Sequence, residues 1–216
     1  RPDDRVCDIL HRECPRSATD AWKDVTVEHL LTHKVGFGRG FLDIDTEKCS
    51  EYPTNDFLSM IWNEPIPYAP GTHFQYTDAA FYMLSVIITK LTGKRADDFL
   101  RPILFDALHF DEAAFSVCPK GYSVGATGLY LRTRDMVKLG YVYAQDGVFN
   151  GKRIVSSDWV SLVLSRGYEF KPIGDSDLFA KGGMFGQMLC FSRKRGSAVA
   201  WHGYESRDVR TLLENL

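Results

Sequence analysis

Residues 77–93, TDAAFYMLSVIITKLTG, constrain the fold more than any other stretch of the chain. Thr77 can cap a helix start, because its hydroxyl can accept a hydrogen bond from an early helical amide, and Gly93 can end that helix in the left-handed conformation. Between them Phe81, Leu84, Ile88 and Leu91 recur at helical spacing and predict one strongly apolar face. Such a face has to be covered, so the chain must build a core around it. With 216 residues and 44% hydrophobic content, it has the material to do so. Directly before the cap stands Tyr76, whose phenol either packs or points into a cleft.

Further helices are marked by their caps. Thr26 precedes VEHLLTH, with Gly36 beyond it as a stop, and Thr54 precedes NDFLSMIW, which the Pro65–Pro67 stretch ends. Thr133 can cap RDMVKLGYVYAQ, and Ser156 can cap SDWVSLVLS with Gly167 past its end. After about residue 183 the texture changes. MFGQMLCFS and SAVAWHG are short, apolar and β-prone, and RKRG between them reads as a solvated hairpin turn. SRDVRTLLENL has helical spacing at Val209, Leu212, Leu213 and Leu216. No repeat or linker marks a boundary. The expectation is one mixed α+β domain over residues 1–216, mostly helical to about residue 180 and then a strand hairpin with a C-terminal helix. Two strands make a marginal sheet, so more strands are needed to complete it.

A formal charge of −2 argues against nucleic acid as a partner, and no run approaches the ~18 apolar residues of a membrane span. The opening RPDDRVCDIL has no signal-peptide pattern. Five scattered cysteines (Cys7, Cys14, Cys49, Cys118 and Cys190) are odd in number and include no CxxC, which predicts reduced, partly buried thiols in a cytoplasmic setting.

Three segments invite a chemical reading. GYSVG at 121–125 matches the G-x-S-x-G elbow, with His202 among the residues downstream. The elbow needs a strand before it and a helix after it, and CPK and GATGLYL supply neither, so a glycine-rich loop is preferred and Ser123 is a fallback nucleophile. His29 and His33 stand at i and i+4, a metal-clamping spacing, but a third ligand is absent and capping or packing explains them better; no metal is expected. GFGRG at 36–40 follows a helix where a phosphate-binding loop should follow a strand.

TVEHLLTHKVGF, PGTHFQYTD, LTG, TGLYLRTRD and NGKRIVS occur in that order. Together they resemble the serine β-lactamase and penicillin-binding-protein-like hydrolases, in particular the class C β-lactamase and esterase branch, from the first residues to about residue 203. The resemblance implies a β-lactamase/transpeptidase-like fold, acyl transfer to a serine followed by hydrolysis, and no cofactor. The second motif of the family, Y-x-N, falls on Tyr76, Thr77 and Asp78. It implies that Tyr76 relays protons to and from the serine and the leaving group, and that position 78 holds substrate. A free phenol has a pKa of about 10, so this role calls for positive charge nearby. Aspartate at 78 loses the amide donor of asparagine and adds negative charge, which turns the expected substrate from β-lactams toward small neutral esters or amides.

The family's third motif, K-[ST]-G or a relative such as H-x-G, opens an inner strand. Lys181, Gly182 and Gly183 occupy the corresponding place, with Gly183 and Gly186-Gln187 as an alternative register. Lys181 would supply charge, and the two glycines would let substrate lie along a strand edge. The first motif, S-x-x-K, is absent: no serine or threonine has a lysine three residues on, and the nearest, Ser192, is followed by Arg195.

The resemblance therefore implies that the chain starts after the nucleophile, lacks the N-terminal part of the sheet, and needs a companion segment, self-association or a longer native chain. It also requires the Tyr76 phenol and the Lys181 ammonium to face one hollow. The rival expectations are a non-catalytic binding protein of the same fold and a hydrolase using Ser123.

Overall fold

Short helices joined by long loops make up the first of two units into which the chain divides in the computed structural model, which describes residues 1–44 and 46–203. This unit comprises Arg1–Phe105 and Ala113–Tyr130. It holds α1 (Val6–Ile9), α2 (Thr19–Trp22), α3 (Val27–Leu31), α4 (Phe57–Asn63), α5 (Asp78–Thr92) and α6 (Ala96–Leu100). The strand β1 (Ala113–Phe115) pairs with β2 (Leu129–Leu131).

The cap and the stop of α5 are as read from the sequence. Thr77 Oγ1 accepts from the amide of Ala79 at 3.3 Å, and Gly93 is left-handed at φ 69°. Its core face is not. Ala79, Ala80, Tyr82, Met83, Val86 and Ile87 are buried, whereas Phe81, Leu84 and Ile88 are half-buried and Leu91 is 69% exposed. The helix is apolar on most of its circumference, so periodicity did not single out the side that meets α1 and α3.

In this core Trp22 is fully buried. Its ring lies edge-on to Trp62 at 4.7 Å and to Phe37 at 5.8 Å. Each fully buried side chain of this size contributes about 1.5–3 kcal/mol of hydrophobic stabilisation.

The other caps hold with local shifts. Thr26 caps α3 in a reciprocal box with His29, but the helix stops at Leu31, and His33 takes the left-handed turn (φ 54°) expected of Gly36. Asp56, not Thr54, caps α4 by accepting from Ser59 N at 3.0 Å.

The second unit comprises Asp106–Glu112 and the chain from Leu131. It holds α7 (Thr133–Ala144), the small β3–β4 hairpin (Val148–Phe149 with Lys152–Arg153) and α8 (Ser157–Arg166). Then come β5 (Lys171–Pro172), β6 (Leu178–Gly182), β7 (Met188–Ser192) and β8 (Ser197–Trp201). Ser156 caps α8 through Trp159 N at 3.1 Å, as expected, and Thr133 is the first residue of α7 rather than its cap.

The four strands pair antiparallel in the order β5-β6-β7-β8. The hairpin read from the sequence is β7–β8; β5 and β6 complete the sheet, so its strands begin at Lys171 rather than near residue 181. MFG is a 3-10 turn (Met184–Gly186), not strand. Alternation along β7 puts Leu189 and Phe191 on one face and Cys190 on the other. Phe191 meets Phe179, Phe170 and Tyr143, and α7 packs on β7 and β8, where a Cβ at Gly140 would sit 2.8 Å from the Leu189 side chain. The chain is thus mixed α+β. The helix read over residues 206–216 lies outside the described residues. Among the described residues no helix is long and apolar enough to cross a membrane.

Candidate functional site

Tyr76 ends a loop that is pinned to its neighbour by backbone bonds. Gly71 N donates to Lys34 O at 2.8 Å, Gln75 N to His33 O at 2.9 Å, and Tyr68 N to Gly36 O at 3.2 Å. The glycines of GFGRG serve this zipper. A Cβ on Gly36, where φ is 107°, would lie 2.2 Å from the Tyr68 carbonyl oxygen, and one on Gly40 would lie 3.0 Å from that of Tyr76. The motif therefore allows two loops to touch.

The cap residue ties the same loop to α5. Thr77 Oγ1 donates to Phe41 O at 2.8 Å and accepts from Phe41 N at 3.3 Å. Thr77 N donates to Nδ1 of His33 at 3.4 Å. The His33 ring is buried between Tyr76 (centroids 4.6 Å apart) and Phe81 (5.0 Å), with Phe74 edge-on at 6.0 Å. The Tyr76 ring thus has one face on His33 while the residue stays 49% exposed. The contact holds the Tyr76 ring in orientation. Asp78, in the first turn of α5, is buried, and the helix N-terminus favours its negative charge.

The two histidines have separate duties. Burial pushes His29 below the usual histidine value, which keeps Nδ1 unprotonated to accept from Thr26 N at 3.1 Å. Next to the Phe41 segment opens a cavity of about 460 Å³ lined in part by Arg39, Phe41, Leu42, Glu47, Tyr52 and Met60. Tyr52 donates to Glu47 at 2.6 Å, and burial together with that carboxylate drives its phenol far above the ordinary tyrosine value, so it remains a proton donor. The cavity combines an apolar wall with a charged rim.

Ser123 is corrected by the structure. It has no exposed surface; Oγ donates to the Asp97 carboxylate at 2.8 Å and accepts from Asp97 N at 3.3 Å. GYSVG carries an isolated bridge between Val117 and Ser123 and no following helix, so the elbow geometry is missing and a sealed hydroxyl is not placed to attack a substrate. Asp97 gains from the arrangement. Burial opposes its charge, but Ser123 and Arg95 outweigh that and hold its carboxyl below the usual carboxylate range.

In the second unit Lys181 lies on β6 opposite Leu189, with Nζ 2.9 Å from Glu169 and donating to Gly182 O at 2.9 Å. Lys181 and Gly182 therefore close β6 instead of opening β7. Gly183 follows, exposed, and its amide donates to Gln187 O at 2.8 Å, so that N–H is engaged in the turn. The alternative register at Gly186-Gln187 falls at the 3-10 turn, where Phe185 is left-handed at φ 57°.

A second titratable group, His202, sits directly after β8 with Nδ1 2.7 Å from Thr133 Oγ1. The sequence signal for it was the WHG that ends a β-prone run.

The family described as Beta-lactamase matches residues 1–203. A 6-aminohexanoate-dimer hydrolase of Paenarthrobacter ureafaciens is 30% identical over 135 residues, which is 60% of this chain and 34% of that protein. A putative D-alanyl-D-alanine carboxypeptidase of Escherichia coli is 25% identical over 63% of this chain and 33% of its own length. The chain thus spans about a third of the length of these curated relatives. Among solved structures, a putative 6-aminohexanoate-dimer hydrolase from Bacillus anthracis superposes with a TM-score of 0.80 at 16% identity, covering 99% of this chain and 64% of that one. A family VIII carboxylesterase gives a TM-score of 0.74 at 14% identity, covering 95% of this chain and 71% of that one.

Proposed function

Because the chain belongs to the Beta-lactamase family, we propose that it forms part of a serine acyl hydrolase acting on small neutral esters or amides, with the nucleophile contributed by sequence outside these 216 residues. The observation that supports this reading is Tyr76, half exposed at the end of a loop and with its ring set against the buried His33. In the reaction a serine hydroxyl attacks the substrate carbonyl while Tyr76, as the phenolate, takes its proton. Tyr76 then returns a proton to the leaving group, and water releases the acyl group from the serine.

Asp78 stands where the family has asparagine, and its carboxylate disfavours anionic substrates. Lys181 is assigned the electrostatic role, moderated by its ion pair with Glu169, and Gly182 the strand end near which substrate lies, while the Gly183 amide is held by Gln187 O. His202 is the second group of that unit suited to the third-motif role. No metal or organic cofactor takes part. Five free cysteines suit a reducing compartment such as the cytoplasm.

Two proteins test the proposal: this chain alone, and the chain extended by its upstream coding sequence. Each is exposed to a fluorophosphonate and to p-nitrophenyl acetate. The expected result is no label on the chain alone, and label with ester hydrolysis in the extended protein. In the extended protein Tyr76→Phe should lower turnover about 100-fold or more, and Lys181→Met beside His202→Ala shows which group carries the third-motif role. A label on Ser123, or an extended protein that neither labels nor hydrolyses ester, overturns the reading; the second outcome favours a binding protein of the same fold.

A further inference from the structure

The sequence predicts Cys7 and Cys14 as reduced, partly buried thiols, and in the structure their sulfurs lie 2.9 Å apart in the first unit. The turn that follows α1 accounts for this. The amides of Glu13 and Cys14 both donate to the Leu10 carbonyl, at 3.0 and 2.7 Å, which folds the chain back and returns Cys14 to Cys7. The turn itself is anchored. Val6 and Leu10 have no exposed surface, α1 packs against α5, and Glu13 reaches Lys90 of α5 at 2.8 Å. Both sulfurs belong to half-buried residues packed against the core. The remaining thiols have other surroundings: Cys49 is exposed, Cys118 shares a hydrogen bond with Tyr82, and Cys190 lies inside the second unit.

A disulfide needs its two sulfurs about 2.05 Å apart on Cβ atoms about 3.8 Å apart. At 2.9 Å the two sulfurs need to approach by less than about 1 Å to bond. We propose that Cys7 and Cys14 form a reversible disulfide that closes this turn onto α5 when the protein meets a low-molecular-weight disulfide such as oxidised glutathione. The Cys14 thiolate attacks one sulfur of the oxidant, forming a mixed disulfide and expelling the first glutathione thiolate. Cys7 then loses its proton and attacks Cys14 Sγ, forming the intramolecular bond and expelling the second. Two protein thiols are oxidised, one glutathione disulfide is reduced to two thiols, and the two cysteine protons pass to them. Burial first, then its bond to Cys14, pushes the Cys7 thiol up, which disfavours its thiolate as the first attacker.

The test uses the purified protein incubated with oxidised glutathione and mapped by trypsin without reduction. Cleavage after Arg5, Arg12 and Arg16 separates the two cysteines into VCDILHR and ECPR. The expected product is these two peptides joined, lighter than their sum by two hydrogens and released by dithiothreitol. Titratable thiols of the denatured protein should fall by two from the five present. The linked protein should melt about 4–8 °C higher than the reduced one. Cys7→Ser should instead accumulate glutathione on Cys14. The proposal is overturned if both cysteines stay open to alkylation, if the link joins Cys49 to either of them, if glutathione alone accumulates on the native protein, or if the linked form melts no higher.

Discussion

The imidazole of His33 lies against the ring of Tyr76 with centroids 4.6 Å apart, while its Nδ1 accepts from the amide of Thr77, the residue that starts α5. One buried side chain therefore sets both the tilt of the exposed phenol and the entry of the helix behind it. His33→Ala removes the ring from between Tyr76 and Phe81 and leaves a buried amide without its acceptor. The expected loss is about 2–4 kcal/mol in urea unfolding. If the extended protein hydrolyses ester as proposed, the same change should lower kcat more than it raises KM, because a phenol free to rotate is wrongly placed more often.

Ser123 should prove structural. Ser123→Ala removes a donor to a charged carboxylate and the acceptor of the Asp97 amide, so it should cost about 1.5–3 kcal/mol. Fluorophosphonate reactivity of the extended protein should stay unchanged.

Acid should weaken both units through one buried aspartate each. Asp97 is held below the usual carboxylate range as described above. Asp135 is held there against its own burial by Lys138 and by the amides of Asp111 and Glu112. A carboxylate with a depressed folded pKa stabilises the fold above its unfolded value of about 3.9, and that contribution is lost as pH falls from there through the folded value. Urea midpoints should therefore hold between pH 7 and 5 and drop below about pH 4. Asp97→Asn should flatten that drop while lowering the neutral-pH midpoint.

Gly36→Ala should be among the most damaging single-methyl additions. It asks alanine to adopt φ 107° and sets a Cβ 2.2 Å from the Tyr68 carbonyl oxygen. A loss of about 3 kcal/mol or more is expected by thermal or urea unfolding. Gly93→Ala, with the same sign of φ but nothing within 4 Å, should cost about 1 kcal/mol.

What the sequence reveals of this fold depends on how local the cause is. Thr26, Thr77, Ser156, Gly93 and Gly167 act within one helical turn, and each sits where its side-chain chemistry or backbone freedom predicts. The core face of α5 depends on which neighbours arrive, and a helix apolar on most sides does not declare it. β6 was hidden because LFAKG is short and follows the polar GDSD run; only its pairing with β7 makes it a strand. At the candidate site, the resemblance drew attention to Tyr76, but the His33 clamp needs a left-handed histidine that no spacing rule foretells. The contact between Cys7 and Cys14 was concealed in the same way, by a turn closed on the Leu10 carbonyl.

The sheet of the second unit is a meander in which every strand lies beside its sequence neighbour, through the connections 173–177, 183–187 and 193–196. Its pairings are all short in contact order, so closing them sacrifices little chain entropy. This half of the chain can find its register early and alone, whereas the first unit, whose Tyr76 loop is fastened to residues more than thirty positions upstream, has to wait for a distant encounter before its phenol has a direction.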